Sequence, residues 1–265
     1  MTTTVTARPP APYMGGKRNL AARLCALIET IPHRTYVEPF VGMGGVFLRR
    51  PRPAPAEVIN DLSGDVANLF RIVRRHYRPF VDEMRHLFAS REEFDRLKRT
   101  DPATLTDIER AVRFLFLQRL AFGGKVDGRT YGVNKAAASR FNHARLRAEL
   151  RALSARLAPV VIEQLDYAAL IRRYDSADTL FYLDPPYDET TGYGLPFGRD
   201  QYVAMAEQLA GIAGQFVLSI NATPFIRETF ARFDIADVET TWTLSGHAAG
   251  TGQRVTELII RSPAH

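Results

Sequence analysis

The residues best suited to chemistry stand at Asp184-Pro-Pro-Tyr187, directly after the apolar run Leu180-Phe-Tyr-Leu183. A carboxylate at a strand end lies where open α/β sheets bind ligands, outside the carboxyl ends of their strands. Pro185 and Pro186 fix φ and remove two backbone donors. What remains is a carboxylate, a run of carbonyl acceptors and an aromatic face. That set suits a planar substrate carrying an amino group. The carboxylate and a carbonyl accept its two N–H bonds, and the ring of Tyr187 stacks on it. The bland alternative for so short a string is a strand-ending turn with a cap.

Other groups are weaker when taken alone. The cluster Gly42-Met-Gly-Gly45 follows the apolar run Thr35–Val41 and lets backbone approach a ligand. A dinucleotide-binding pattern would need glycine at 47, where Phe47 stands, so a nicotinamide cofactor is disfavoured. Gly15-Gly16-Lys17 hints at a phosphate loop, but Arg18 occupies the Ser or Thr position such a loop uses for magnesium. Asp61 ends a second short strand, where an acid commonly accepts from ribose hydroxyls. Asn60 and Asp65 read as turn and cap residues, and Glu38 as a cap of the turn after it. Asp166 either caps a helix or reaches a ligand. The six histidines show no paired metal spacing and Cys25 is the single cysteine, so neither a catalytic metal nor a disulfide framework is expected.

Strand patterns recur at Thr35–Val41, Glu57–Asp61, Val160–Glu163, Thr179–Asp184, Gln215–Ile220, Asp234–Thr240 and Val255–Ile260. Helical periodicity falls at residues 17–30, Asp65–Val73, Tyr167–Tyr174, Asp200–Ala213 and Thr223–Phe230, and a helix is expected after the glycine cluster. This alternation predicts an α/β domain with a mostly parallel sheet, and the last two strands read as an edge hairpin. From Arg71 to Leu157 the pattern is helical, with examples at Phe80–Phe88, Ile108–Leu120 and His143–Leu157. A Gly- and Lys-rich loop interrupts it at Phe122–Gly132. This segment enters after the second strand and leaves before the third. The expected organisation is therefore one catalytic domain formed by residues 1–70 and 158–265, with a helical insertion at 71–157. Trp242 reads as core.

Composition, 46% hydrophobic and 24% charged over 265 residues, is ordinary for a soluble globular protein and rules out a disordered or fibrous chain. No apolar run reaches membrane length and the first residues lack a signal-peptide pattern, which makes the cytoplasm the default location. The net charge of +6 is uneven. Between Arg71 and Leu157 there are 20 Lys or Arg against 10 Asp or Glu, while the rest of the chain has 15 against 19. A basic insertion attracts polyanions, nucleic acid above all. Lys125, Arg129 and Tyr131 in the glycine-rich loop, with Asn134, Lys135 and Arg140 after it, are the candidate DNA contacts. Arg71, Arg74, Arg75 and Arg78 read as phosphate contacts or plain surface.

Taken together, these pieces resemble the Dam-like, or D12, class of adenine-specific DNA methyltransferases. Asp184-Pro-Pro-Tyr187 is similar to the catalytic motif of amino-group DNA methyltransferases. Pro12-Tyr-Met-Gly-Gly-Lys17, Tyr36–Phe47 and Ile59-Asn-Asp61 are similar to that class's remaining motifs and follow in its order. The resemblance runs from Pro12 to about Arg261. It implies a Rossmann-like S-adenosylmethionine-dependent methyltransferase fold, with the insertion reading the target as in phage and prophage members. Methyl transfer to the N6 amine of a flipped adenine in double-stranded DNA would follow. The protein would work as a monomer in a bacterial cell or phage-infected host, in restriction–modification or prophage settings. Asp184, Pro185, Pro186 and Tyr187 would be catalytic. Tyr13, Lys17, Glu38, Phe40, Gly42, Gly44, Asp61, Asp166 and Asp184 would contact S-adenosylmethionine, with Glu38 near its methionine amine. Tyr13 stands where the class often has Trp. The alternatives are methylation of the cytosine N4 amine, a non-catalytic DNA-binding protein that keeps the fold, and a nucleotide hydrolase using Gly15–Lys17.

Overall fold

The computed structural model describes residues 7–17, 19–133, 138–189, 197–242 and 253–263. Strands β1 (Thr35–Glu38), β2 (Ala56–Asn60), β3 (Val161–Glu163), β4 (Thr179–Leu183), β5 (Gln215–Asn221), β6 (Asp234–Trp242) and β7 (Gln253–Arg261) form one sheet. Its order is β3-β2-β1-β4-β5-β7-β6. The first five strands pair in parallel, and β7 runs antiparallel to both β5 and β6. The chain thus starts in the middle of the sheet, builds outward through β2 to β3, then returns to build the other half from β4. The order reverses between β1 and β4, and the carboxyl ends of such strands are where open α/β sheets bind ligands. Glu38 is the last residue of β1, and Asp184 follows β4 directly.

Burial on both faces explains the composition of the central strands. Every residue of β4, Thr-Leu-Phe-Tyr-Leu, is buried, as a strand covered on both sides requires. Alternate side chains split between two apolar layers. Tyr36, Tyr182 and Val217 join the layer that contains α1 (Ala21–Thr30), α2 (Gly64–Arg75), α3 (Tyr77–Met84), α4 (Arg91–Arg99), α5 (Asp107–Leu120) and α6 (His143–Leu157). Val37, Phe181 and Phe216 join the layer under α7 (Tyr167–Tyr174), α8 (Arg199–Ala210) and α9 (Pro224–Thr229). The edge hairpin forms as the sequence suggests, with β7 placed inside β6. Trp242 ends β6, and its side chain lies outside the described residues.

Two expected helices differ from the pattern. The glycine cluster leads into a short 3-10 turn, Phe47–Arg49, and not into a helix. Arg50 precedes Pro51, which disfavours helical backbone at Arg50, and the chain there is extended. The helix expected at Phe80–Phe88 stops at Met84, and Phe88 is 67% exposed. Ser90 then starts a new helix by accepting from the Glu93 amide.

Helices α2 to α6 follow one another between β2 and β3. Within them α5 is buried nearly all round, and its start is locked by a capping box between Thr106 and Glu109. Gln118, fully buried on α5, donates from Nε2 to the carbonyls of Pro12 (2.9 Å) and Gly124 (2.6 Å). The Met14 amide also donates to the Gly124 carbonyl at 3.1 Å. Gly124 has φ +68°, and a Cβ there would lie 3.0 Å from Pro12 C and Tyr13 N. The loop after α5 and the segment holding Tyr13 are thus packed backbone to backbone, and only glycine fits at the joint.

A buried ion cluster fastens α6 to the sheet. Glu57 of β2 accepts from Arg50 Nη1 at 2.8 Å and from Arg156 Nη1 and Nη2 at 2.5 and 2.8 Å. Arg50 lies over the Tyr36 ring and Arg156 over Phe47. Removing the carboxylate strands two guanidiniums in the interior. Glu57→Ala should therefore lower stability by about 3–5 kcal/mol in equilibrium urea unfolding.

Candidate active site

The loop after β4 is held at Asp184, Pro186, Tyr187 and Asp188. Asp184 Oδ1 accepts from Lys17 Nζ at 2.8 Å and from Ser219 Oγ at 3.4 Å. Ser219 in turn pairs with the Tyr182 hydroxyl at 2.7 Å. The Pro186 carbonyl accepts from the Tyr202 hydroxyl at 2.6 Å. Tyr187 donates from its hydroxyl to Glu257 Oε2 at 2.7 Å. Asp188 exchanges backbone bonds with the Asn221 side chain at 3.0 and 2.9 Å. Among the described residues nothing donates to the Pro185 carbonyl. An unused carbonyl thus follows a carboxylate whose side chain keeps 20% exposure, the pair of acceptors an amino group needs.

The electrostatics follow from burial around one cation. Lys17 is 4% exposed, and its ammonium lies between Asp184 (2.8 Å) and Glu257 Oε2 (3.3 Å) while also donating to the Tyr187 hydroxyl. Burial pushes the Asp184 carboxyl up to about 6, against the pull of Lys17, which favours the charged form. Glu38, 2% exposed, accepts from the Tyr36 hydroxyl at 2.8 Å. Burial raises its carboxyl to about 8 despite that bond, with the neighbouring Asp184 adding to the rise. Glu38 therefore does not cap the turn after it. It is a buried acid at the crevice that is largely neutral at pH 7.

The glycine-rich loop is shaped by Asp61 and Tyr13. Asp61 Oδ2 accepts from the Gly42 amide and Oδ1 from the Ser63 amide, both at 2.9 Å. Burial raises the Asp61 carboxyl to about 6, outweighing these two bonds. Gly42 has φ +49°, and a Cβ there would lie 3.1 Å from the Tyr13 ring. The ring thus rests on the loop because residue 42 has no side chain. Phe40, half-buried, packs between Tyr167 and Phe197 at centroid distances of 5.5 and 5.9 Å. Gly44 adopts φ +74° against Leu48.

Several expected roles come out differently. Lys17 stands in the Asp184 cluster and not at a phosphate loop. Asn60 is more than a turn residue. It is buried and ties the Pro39 carbonyl, the Leu165 carbonyl and the Leu165 amide together. Asp65 pairs with Arg110 at 2.7 Å. Asp166 caps α7 through the Ala168 and Ala169 amides and is exposed.

In the helical segment Arg129 points inward, donating to Gln118 Oε1 at 3.1 Å beside the Phe114 ring. Its guanidinium braces the loop in place of facing solvent. Tyr131 packs edge-on against Phe94. Lys125 and Arg140 are exposed, as are Arg71, Arg74, Arg75 and Arg78. Asn134 and Lys135 lie outside the described residues. Part of the basic excess is used internally, since Arg110, Arg119 and Arg156 pair with Asp65, Glu149 and Glu57.

Two residues of the cluster carry no motif, Ser219 and Glu257. The available signal was an acid inside the apolar strand Val255–Ile260, because a carboxylate in a buried strand needs a partner. Among the described residues no group of His, Cys, Asp and Glu could hold a metal, and no helix is long and apolar enough to cross a membrane.

Comparison with known proteins places this geometry. A family model described as D12 class N6 adenine-specific DNA methyltransferase matches residues 13–244. The chain is 22% identical over 261 residues to the type II methyltransferase M.CviBI of Paramecium bursaria Chlorella virus NC1A, covering 96% of this chain and 99% of that one. It is 28% identical over 242 residues to a DNA adenine methylase of Haemophilus influenzae, covering 84% and 82% of the two chains. A DNA adenine methylase of Escherichia coli K12 is 27% identical over 245 residues, covering 84% of each chain. Asp184 and Pro185, beyond the carboxyl end of β4, thus belong to a chain of the D12 class of N6 adenine-specific DNA methyltransferases.

Proposed function

We propose that this DNA adenine methyltransferase acts as a monomer on double-stranded DNA, with S-adenosylmethionine as donor, and that Asp184 and the Pro185 carbonyl grip the N6 amine of an extruded adenine. The observation that carries this reading is the pair of adjacent acceptors after β4, one ionisable and one without a donor among the described residues. The adenine amine is a poor nucleophile because its lone pair is delocalised into the ring. Hydrogen bonds from both N–H groups to Asp184 and Pro185 localise that pair on nitrogen. Tyr187 supplies the stacking face, and stacking with these bonds offsets the few kcal/mol that extrusion costs. When bound, S-adenosylmethionine supplies a sulfonium-activated methyl group whose S–C bond breaks to leave a neutral thioether. The chain's part is positioning and electrostatics.

The residues around the crevice fit such a donor. Glu38 and Asp61 place carboxyls at the ends of β1 and β2, suited to an ammonium and to ribose hydroxyls. Tyr13 offers a ring on the glycine-rich loop, Phe40 and Gly44 line the same loop, and Asp166 has an exposed carboxylate beyond β3. The helical segment 71–157 is the target-reading part, with Lys125 and Arg140 on the phosphates and Tyr131, Asn134 and Lys135 in the same stretch. Arg129 supports the loop from inside. The expected compartment is the cytoplasm.

Incubation of duplex DNA with protein and labelled donor, followed by nucleoside digestion and mass detection, should yield N6-methyladenine. Asp184→Ala should abolish that product while leaving DNA binding largely intact. In the wild type kcat/KM should rise with pH through about 6, because the acceptor must be a carboxylate and its folded pKa is about 6. Retained turnover in the alanine variant would refute the role.

Glu38 gives a separate measurement. Its carboxyl titrates near 8 in the free protein. An ammonium beside it favours the charged form and lowers that value. Donor binding at pH 7 should therefore release close to one proton, and affinity should rise with pH until about 8. Calorimetry in buffers of different ionisation enthalpy reads this directly, and Glu38→Gln should remove it.

Lys125→Ala combined with Arg140→Ala should weaken DNA binding across sequences and reduce the slope of log affinity against log salt by about 2. An unchanged slope would remove both residues from the interface.

A further inference from the structure

Glu257 touches the catalytic loop, yet the reaction as described has no use for it. It lies on β7 in register with Asn221 of β5 and is 4% exposed. A carboxylate this deep is costly unless it is paired. Its partners are the Tyr187 hydroxyl at 2.7 Å and the Lys17 ammonium at 3.3 Å, and that ammonium lies closer still to Asp184, at 2.8 Å. One cation is therefore shared by two acids. Asp184 Oδ1 already faces Lys17 and Ser219. An ammonium bound there withdraws the electron density with which a carboxylate polarises an incoming amine. The free protein therefore holds the Asp184 acceptor in a weakened state. Glu257 offers the ammonium an alternative place a short side-chain rotation away.

We propose that Glu257 is a positioning residue. It takes Lys17 off Asp184 as the target amine arrives, and it fixes the Tyr187 hydroxyl so that the ring stands ready to stack. This inference rests on the reading of Asp184 given above. The transfer balances without Glu257. The N6 pair forms the new C–N bond, the S–C pair stays on sulfur, and the displaced N6 proton passes to the Asp184 carboxylate and from there to water.

Wild-type turnover on duplex DNA is measured first; no methyl on adenine there would defeat the proposed function and not this inference. With turnover in hand, Glu257→Gln keeps an acceptor for Tyr187 but removes the charge that draws Lys17. It should lower kcat by about tenfold or more while KM for the donor stays within about threefold. Glu257→Asp, which restores the charge, should recover most of the rate. Wild-type kcat in Glu257→Gln, or equal losses in both variants, would overturn the proposal. A wild-type complex with S-adenosylhomocysteine and target duplex decides the matter even if the glutamine variant fails to fold. Lys17 Nζ should lie on Glu257 and clear of Asp184 there, and an ammonium still on Asp184 would be fatal.

Discussion

The sheet edge that carries Asp184 depends on one ammonium. Lys17 Nζ is enclosed by Asp184, Tyr187 and Glu257, and with Lys17 itself these groups come from three distant parts of the chain. Taking two carboxylates out of water is expensive, and attraction to a shared cation with further hydrogen bonds offsets it. Ser219 and the Tyr187 hydroxyl supply those further bonds. The same burial that makes the cluster costly raises the Asp184 and Glu38 carboxyls toward the working pH range. Stability and reactivity are here set by one arrangement of charges.

Topology explains why these groups meet. Parallel strands bring their carboxyl ends to a common edge, which delivers Glu38 from β1 and Asp184 from β4. The antiparallel β7 delivers residues from its first half to that edge, because it runs the other way. Glu257 reaches the site for this reason, opposite Asn221 at the end of β5. Behind the edge, the bonds from Tyr202 to the Pro186 carbonyl and from Asn221 to Asp188 keep the loop from relaxing. The glycines at 42 and 124 serve a related end, since each lets ring or backbone of the Pro12–Lys17 segment approach where a Cβ would block it.

Much of this was legible from residue order. The strand before Asp184 reads as buried, and α6 and α7 fall at the residues that periodicity assigns; the run of unpaired carbonyls expected at the two prolines is shortened, because the Tyr202 hydroxyl donates to the Pro186 carbonyl. The glycine cluster was legible as a close approach but not as a 3-10 turn, because Pro51 ends the helix that the pattern suggests. Side-chain destinations were not legible. Lys17 looks like the end of a loop motif, and its partner lies 170 positions away at Tyr187. Arg129 counts toward a basic surface in the sequence and turns out to brace Gln118. Glu57 reads as the start of a strand, and only packing reveals that two arginines converge on it. Such facts depend on where a chain folds back, which local patterns do not encode.

The joint at Gly124 has a bearing on how such enzymes can be recombined. Gln118 and Gly124 grip the backbone of Pro12 and Met14, so the helical segment is keyed to the very start of the chain as well as to the strands that flank it. A segment transplanted from a relative to confer a new target would arrive with its own version of that grip. Unless residues 12–17 travelled with it, the hybrid would misplace Tyr13 and Lys17, whatever contacts the new segment made elsewhere.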